Sequence, residues 1–183
     1  MEKILEVYNN LIRSQFEYGG KKYASDTQEK EATDILFDYH SHKWLIGTID
    51  KYTFRFKNLQ RERDLLKIAT YMYLIWLKRG FHISSHGFEL PINTNIEIKT
   101  NNFNKFLGFY NSYIETNTYL TSMEVNDIMQ LIHEQMTIWS AEPWESIGEE
   151  NIYEVYNLTF VVWNKLYSAK AGLDQDINNE EKK

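Results

Sequence analysis

Residues Lys43 to Gly80, KWLIGTIDKYTFRFKNLQRERDLLKIATYMYLIWLKRG, decide the reading of this chain. Leu65, Leu66, Ile68, Ala69, Met72, Tyr73, Ile75 and Trp76 recur at helical spacing and make a wide apolar face. The stretch reads as two amphipathic helices, about 43–57 and 60–79, joined by a polar turn around Asn58. Gly80 stops the second. Lys51, Arg55 and Asp64 put charge beside the apolar seam, which a domain does not need merely to fold. A protein that holds a phosphorylated small molecule does need it.

The same period extends outward. Ile4, Leu5, Tyr8, Leu11, Ile12 and Phe16 share a face over 3–17, and Gly19-Gly20 is expected to end that helix. Asp26 or Thr27 caps a helix over about 28–40, with a break at Ser41-His42 before the next. Residues 81–98 carry Gly87 and Pro91 and favour a loop or a short β-hairpin. Helical pattern returns at about 101–115, 122–140 and 149–169, with a break at Ala141-Glu142-Pro143. The expected fold is an all-α bundle of about seven helices. Residues 1–90 form its nucleotide-handling core, 91–171 an extension, lid or oligomerisation region, and 172–183 a mobile charged tail.

Composition sets bounds. A hydrophobic share of 43%, with 13 Tyr, 10 Phe and 5 Trp, is ample for a core and excludes general disorder. The aromatic content also points to a homo-oligomer. A net charge of −6 argues against general nucleic-acid binding but allows a local basic pocket. The chain has no cysteine, no signal-peptide core in MEKILEVYNN, and no apolar run longer than Tyr71–Leu77. A cytoplasmic protein without a membrane segment is expected.

Several motifs bear on chemistry. GGKK at 19–22 lacks P-loop spacing, yet Lys21 and Lys22 after a glycine pair can close over a phosphate, or merely cap a helix. Glu31, Asp34 and Asp38 fall near one helix face, with Asp64 on another helix; they suit Mg²⁺, or form a solvated acidic face. Lys51 and Arg55 are one turn apart, and Lys67 lies on the facing helix. They make either an anion pocket or a salt-bridge network with Asp50 and Asp64. Tyr52 and Tyr71 can stack on a base, or belong to the core. The five histidines form no metal signature, and His133-Glu134 lacks the second histidine of a zinc-protease motif. No serine sits in a G-x-S-x-G elbow.

The pattern Leu45-x-Gly47-x-x-Asp50-Lys51-Tyr52-x-x-Arg55-x-Lys57-Asn58, followed by Asp64-Leu65-x-Lys67-x-Ala69-x-Tyr71, resembles a small phage nucleotide-kinase-like family without a P-loop. Phe16 to Tyr23, FEYGGKKY, resembles the opening of phage dATP/dGTP diphosphohydrolases, which belong with the all-α MazG-like NTP pyrophosphohydrolases. Together they cover about the first 80 residues. The resemblance implies a Mg²⁺-dependent enzyme acting on nucleotide phosphates, encoded by a phage and working in the host cytoplasm. Only Glu31-x-x-Asp34 matches the MazG-like metal motifs, and the E-x-x-E that should precede it is missing. A phosphate pocket without a full metal set implies a sponge that sequesters a nucleotide immune signal of the host. A protein-binding inhibitor of a host factor, using aromatics of the second half, is the third expectation.

Overall fold

A computed structural model describes the backbone of residues 2–23, 32–82, 96–114 and 122–180, and the side chains of 2–19, 40–82, 101–113 and 122–170. The fold is all-α. Among the described residues six α-helices run in order: α1 (Glu2–Tyr23), α2 (Ala32–Leu59), α3 (Glu62–Lys78), α4 (Ile96–Ile114), α5 (Val125–Ala141) and α6 (Glu149–Glu180). There is no strand among them. No described helix is long and apolar enough to cross a membrane.

α3 is the central helix. All eight residues of its expected apolar face are buried, and so are Asp64, Thr70, Leu74 and Leu77. A helix buried nearly all round must be wrapped by others. α1, α2, α4 and α6 do the wrapping, and α5 packs on α2 and α6. Gly80 ends α3 as the sequence requires. Its φ of 78° is left-handed, and the Phe81 and Gly80 N–H groups reach back to the Trp76 and Leu77 carbonyls at 3.3 and 2.9 Å. That is a Schellman closure, and it explains why glycine stands there. The α2–α3 turn lies at Gln60-Arg61 rather than at Asn58, whose side-chain amide bonds the Phe54 carbonyl within α2.

The count of about seven helices becomes six because the expected second and third are the two arms of α2. The break predicted at Ser41-His42 is a kink within it: Ser41 has φ 61° and ψ −175°. This conformation is nearly confined to glycine and costs a side-chain-bearing residue about 1–3 kcal/mol. Ser41 is exposed. Ser41→Gly is therefore expected to stabilise the protein by about 1 kcal/mol, after subtracting about 0.5–1 kcal/mol for glycine's freer unfolded chain. Urea denaturation of the two proteins checks this; an unchanged or lower midpoint would show the kink is not strained. Beside it, the His42 ring stacks on Trp144 at 5.3 Å, and burial pushes its pKa down.

Two other expectations change. Gly19-Gly20 does not stop α1, which continues to Tyr23. Phe16 packs on Tyr73 and Phe103, and the Arg63 guanidinium lies over the Tyr18 ring, so packing holds α1 up to the glycine pair. The hairpin near 81–98 is helical at its end, because α4 begins at Ile96; residues 83–95 lie outside the described residues. α6 runs on to Glu180, through most of the segment read as a tail.

Most aromatic residues described in the second half join one core shared with the first. Phe103, Phe106, Tyr110, Tyr156 and Trp163 are fully buried with Tyr8, Tyr73 and Trp76. Tyr18, Phe54 and Phe109 are the aromatic rings left exposed among the described residues. The polar tips within it are paired: Tyr8 with Thr159 at 2.6 Å, Tyr156 with Asn9 at 2.9 Å, and Tyr110 with Asn157 at 3.0 Å. Thr159 donates its own proton to the Tyr156 carbonyl, so Tyr8 is the donor to Thr159. Burial pushes the Tyr8, Tyr110 and Tyr156 hydroxyls well above the ordinary phenol range, which keeps them neutral donors.

Candidate functional site

The second arm of α2 has two working faces, and their division follows from helical period. Leu45, Ile49, Tyr52 and Phe56 point inward and are buried. Gly47, Asp50, Phe54 and Lys57 recur at three- and four-residue steps on another face, toward α5. There α2 and α5 leave an open groove of about 630 Å³, lined by Gly47, Asp50, Lys51, Thr53, Phe54, Arg55, Lys57, Gln130 and His133.

On the inner side, Tyr52 is the hub. Lys51 Nζ and Lys67 Nζ lie 4.8 and 4.7 Å from its ring centre, and the Arg55 guanidinium carbon lies at 5.6 Å. Lys67 also donates to the Tyr52 hydroxyl at 3.0 Å, and Tyr71 stacks on the ring at 6.1 Å. The structure thus brings five of the residues singled out in the sequence into one cluster. It does not make them one pocket. Tyr52 is buried, so its ring is not open to a base, and Lys67 is turned to Tyr52 behind the groove. Only Lys51 and Arg55 of that set line the groove.

Arg55 is held there by Asp64. One Arg55 nitrogen lies 3.4 Å from Asp64 Oδ1, and the Asp64 side chain is only 4% exposed against 40% for Arg55. The second carboxylate oxygen of Asp64 is buried without a partner. Asp64 sits in the first turn of α3, where the helix dipole favours a negative charge. Its other oxygen is the one that faces Arg55 across the edge of the groove.

The outer face carries pairs that span α2 and α5. Asp50 Oδ1 lies 2.6 Å from His133 Nδ1. Lys57 donates to Gln130 at 3.0 Å, and Gln130 in turn donates to Glu134 at 3.1 Å. Phe54 lines the groove and is 69% exposed. Gly47, Thr53, Phe54, Lys57, Gln130 and His133 line the groove without having been candidate binding residues in the sequence reading. Lys57 was within reach of it, being near Arg55 in the same basic run. His133 was not, because 83 residues separate it from Asp50 and no local pattern links them.

The remaining candidates lie elsewhere or outside the described side chains. Lys21 and Lys22 fall in the last turn of α1, and their side chains are outside the described residues. Asp34 and Asp38 belong to the first arm of α2, and Glu31 precedes it; their side chains are outside the described residues. Among the described residues, no three His, Asp or Glu side chains are grouped to hold a metal ion. Glu62, also in the first turn of α3, accepts the Trp163 indole N–H at 2.8 Å.

No protein-family model, no curated protein and no solved structure matches the chain.

Proposed function

We propose that this protein binds a nucleotide through its phosphates in the α2/α5 groove and acts on them there. The observation that carries the reading is the gathering of Lys51, Arg55 and Lys57 on one open groove of a protein whose net charge is −6. Arginine and lysine donors bind phosphate with charge-assisted hydrogen bonds, and a partly desolvated groove strengthens them. Arg55 is preorganised by Asp64, so little ordering is needed when an anion arrives. The exposed Phe54 ring in the same groove offers a stacking surface for a base. Base–aromatic stacking is worth about 1–3 kcal/mol. The resemblance of 45–71 to the phage nucleotide-kinase-like family points to the same ligand class.

The test is to incubate the purified protein with a mixed nucleotide pool and Mg²⁺, then identify bound and altered species by mass spectrometry. A new product supports an enzyme of nucleotide phosphates. A nucleotide enriched but intact supports a protein that sequesters a nucleotide signal. No retained nucleotide would overturn the reading and leave an inhibitor that binds a host protein. The double variant Lys51→Ala, Lys57→Ala is expected to weaken nucleotide binding by roughly 10–100-fold, since a hydrogen bond to a charged group contributes about 1.5–3 kcal/mol. Both positions are exposed, so the thermal midpoint should barely move. Full affinity in that variant would place the phosphates elsewhere.

A further inference from the structure

We infer that His133, oriented by Asp50, is the general base of a phosphoanhydride hydrolysis carried out in the groove. The inference rests on the groove being the nucleotide site. Asp50 and His133 both line it, and both are accessible, with side chains 38% and 46% exposed. The short 2.6 Å contact is made through Nδ1. A carboxylate only accepts, so Nδ1 carries the proton of this bond and the lone pair of the neutral ring is on Nε2. This is the arrangement in which a carboxylate fixes the tautomer and stabilises the imidazolium that forms.

Placement separates this pair from an ordinary surface ion pair. A surface pair standing alone contributes about 0–1 kcal/mol and implies nothing further. Here it shares one groove with Lys51, Arg55 and Lys57. Asp50 to Lys57 spans about 10 Å of helix rise, so base and cations lie within two turns. Gln130, one turn before His133 on α5, accepts from Lys57 and closes the other end. Three cations suit the several negative charges of a polyphosphate better than the single charge of a phosphodiester.

The step balances with water as the only co-reactant. Water attacks the phosphorus held by Lys51 and Arg55, and a new P–O bond forms. The water proton passes to His133 Nε2. The bond from that phosphorus to the bridging oxygen breaks, and its electron pair leaves with the departing phosphate or pyrophosphate. The groove cations neutralise that developing charge. His133 then releases its proton to solvent. Asp50 is a positioning residue, since it acts through His133.

The experiment uses the full chain with an equimolar mixture of the four ribonucleoside and four deoxyribonucleoside triphosphates, with Mg²⁺ and separately with EDTA. Phosphate release in ¹⁸O-labelled water and equilibrium dialysis are measured in parallel. Expected is turnover with label in the released or residual phosphate. His133→Asn should lower kcat by about 100-fold or more, the usual contribution of a positioned acid or base, with binding changed less than about threefold. Asp50→Asn should lower kcat with KM unchanged. Wild-type turnover retained in His133→Asn would overturn the inference. Nucleotides bound but intact in the wild type would overturn it too, while leaving the binding reading standing. Absence of any binding would overturn both.

Discussion

Phe106→Ala is expected to destabilise the protein by about 3–5 kcal/mol, the range for emptying a fully buried phenylalanine site. Phe106 has no exposed surface. Its ring lies 4.9–5.5 Å from those of Tyr156, Tyr153, Tyr73 and Trp76, and it stacks on Phe103 and Tyr110 at 6.1 and 6.4 Å. These rings come from α3, α4 and α6, so one truncation loosens three helices together. Each edge-on or offset pair adds about 0.5–1.5 kcal/mol beyond area burial, and collapse around the cavity is hindered because the neighbours are themselves rigid rings. The thermal midpoint should fall by roughly 10 °C or more for a chain of this length. Phe106→Leu should lose far less. A loss below about 1 kcal/mol for the alanine variant would mean that the core is not organised around this ring.

Arg55→Ala should affect fold and binding at once. Removing the guanidinium leaves the Asp64 carboxylate buried, with one oxygen already unpartnered. Breaking a buried pair costs about 3–5 kcal/mol. Arg55 is 40% exposed and the α3 dipole steadies Asp64, so about 2 kcal/mol is expected here. Nucleotide affinity should drop by about 10–100-fold in the same variant. A double-mutant cycle with Asp64→Asn tests the coupling. The double variant should recover about 1 kcal/mol relative to the sum of the singles, because the stranded charge is gone. Strict additivity would show that the two side chains do not act together.

The helices were legible because their apolar residues recur at the helical period over long stretches, α3 above all. Ser41-His42 was legible as a break because polar residues interrupt that period just where α2 kinks. Gly19-Gly20 misled, since glycine's penalty inside a helix is only about 1 kcal/mol and tertiary packing can override it. Tyr18 under Arg63 holds α1 just before the pair, and that contact joins α1 to α3, which no local window shows. The same limit governed the site. Lys51, Arg55 and Lys67 were found because one helical hairpin carries them. Whether each faced the groove or Tyr52 depended on where α5 docked. The choice between an anion pocket and a structural network was therefore not open to a reading of residues 43–80. Lys67 turns to Tyr52, Lys51 and Arg55 line the groove, and Arg55 also pairs with Asp64.

The buried bonds from α1 to α6 set an order of events at the ribosome. Tyr8 and Asn9 find their partners in Thr159 and Tyr156, 151 and 147 positions downstream. During synthesis α1 is made well before its partners, and its polar tips go unsatisfied until α6 follows. Helices emerge in order, but the core cannot close as they do, and α3 stays uncovered on the α6 side until α6 emerges. Nascent chains stalled before Tyr156 should therefore be protease-sensitive and should engage chaperones, and protection should appear abruptly once α6 has cleared the exit tunnel.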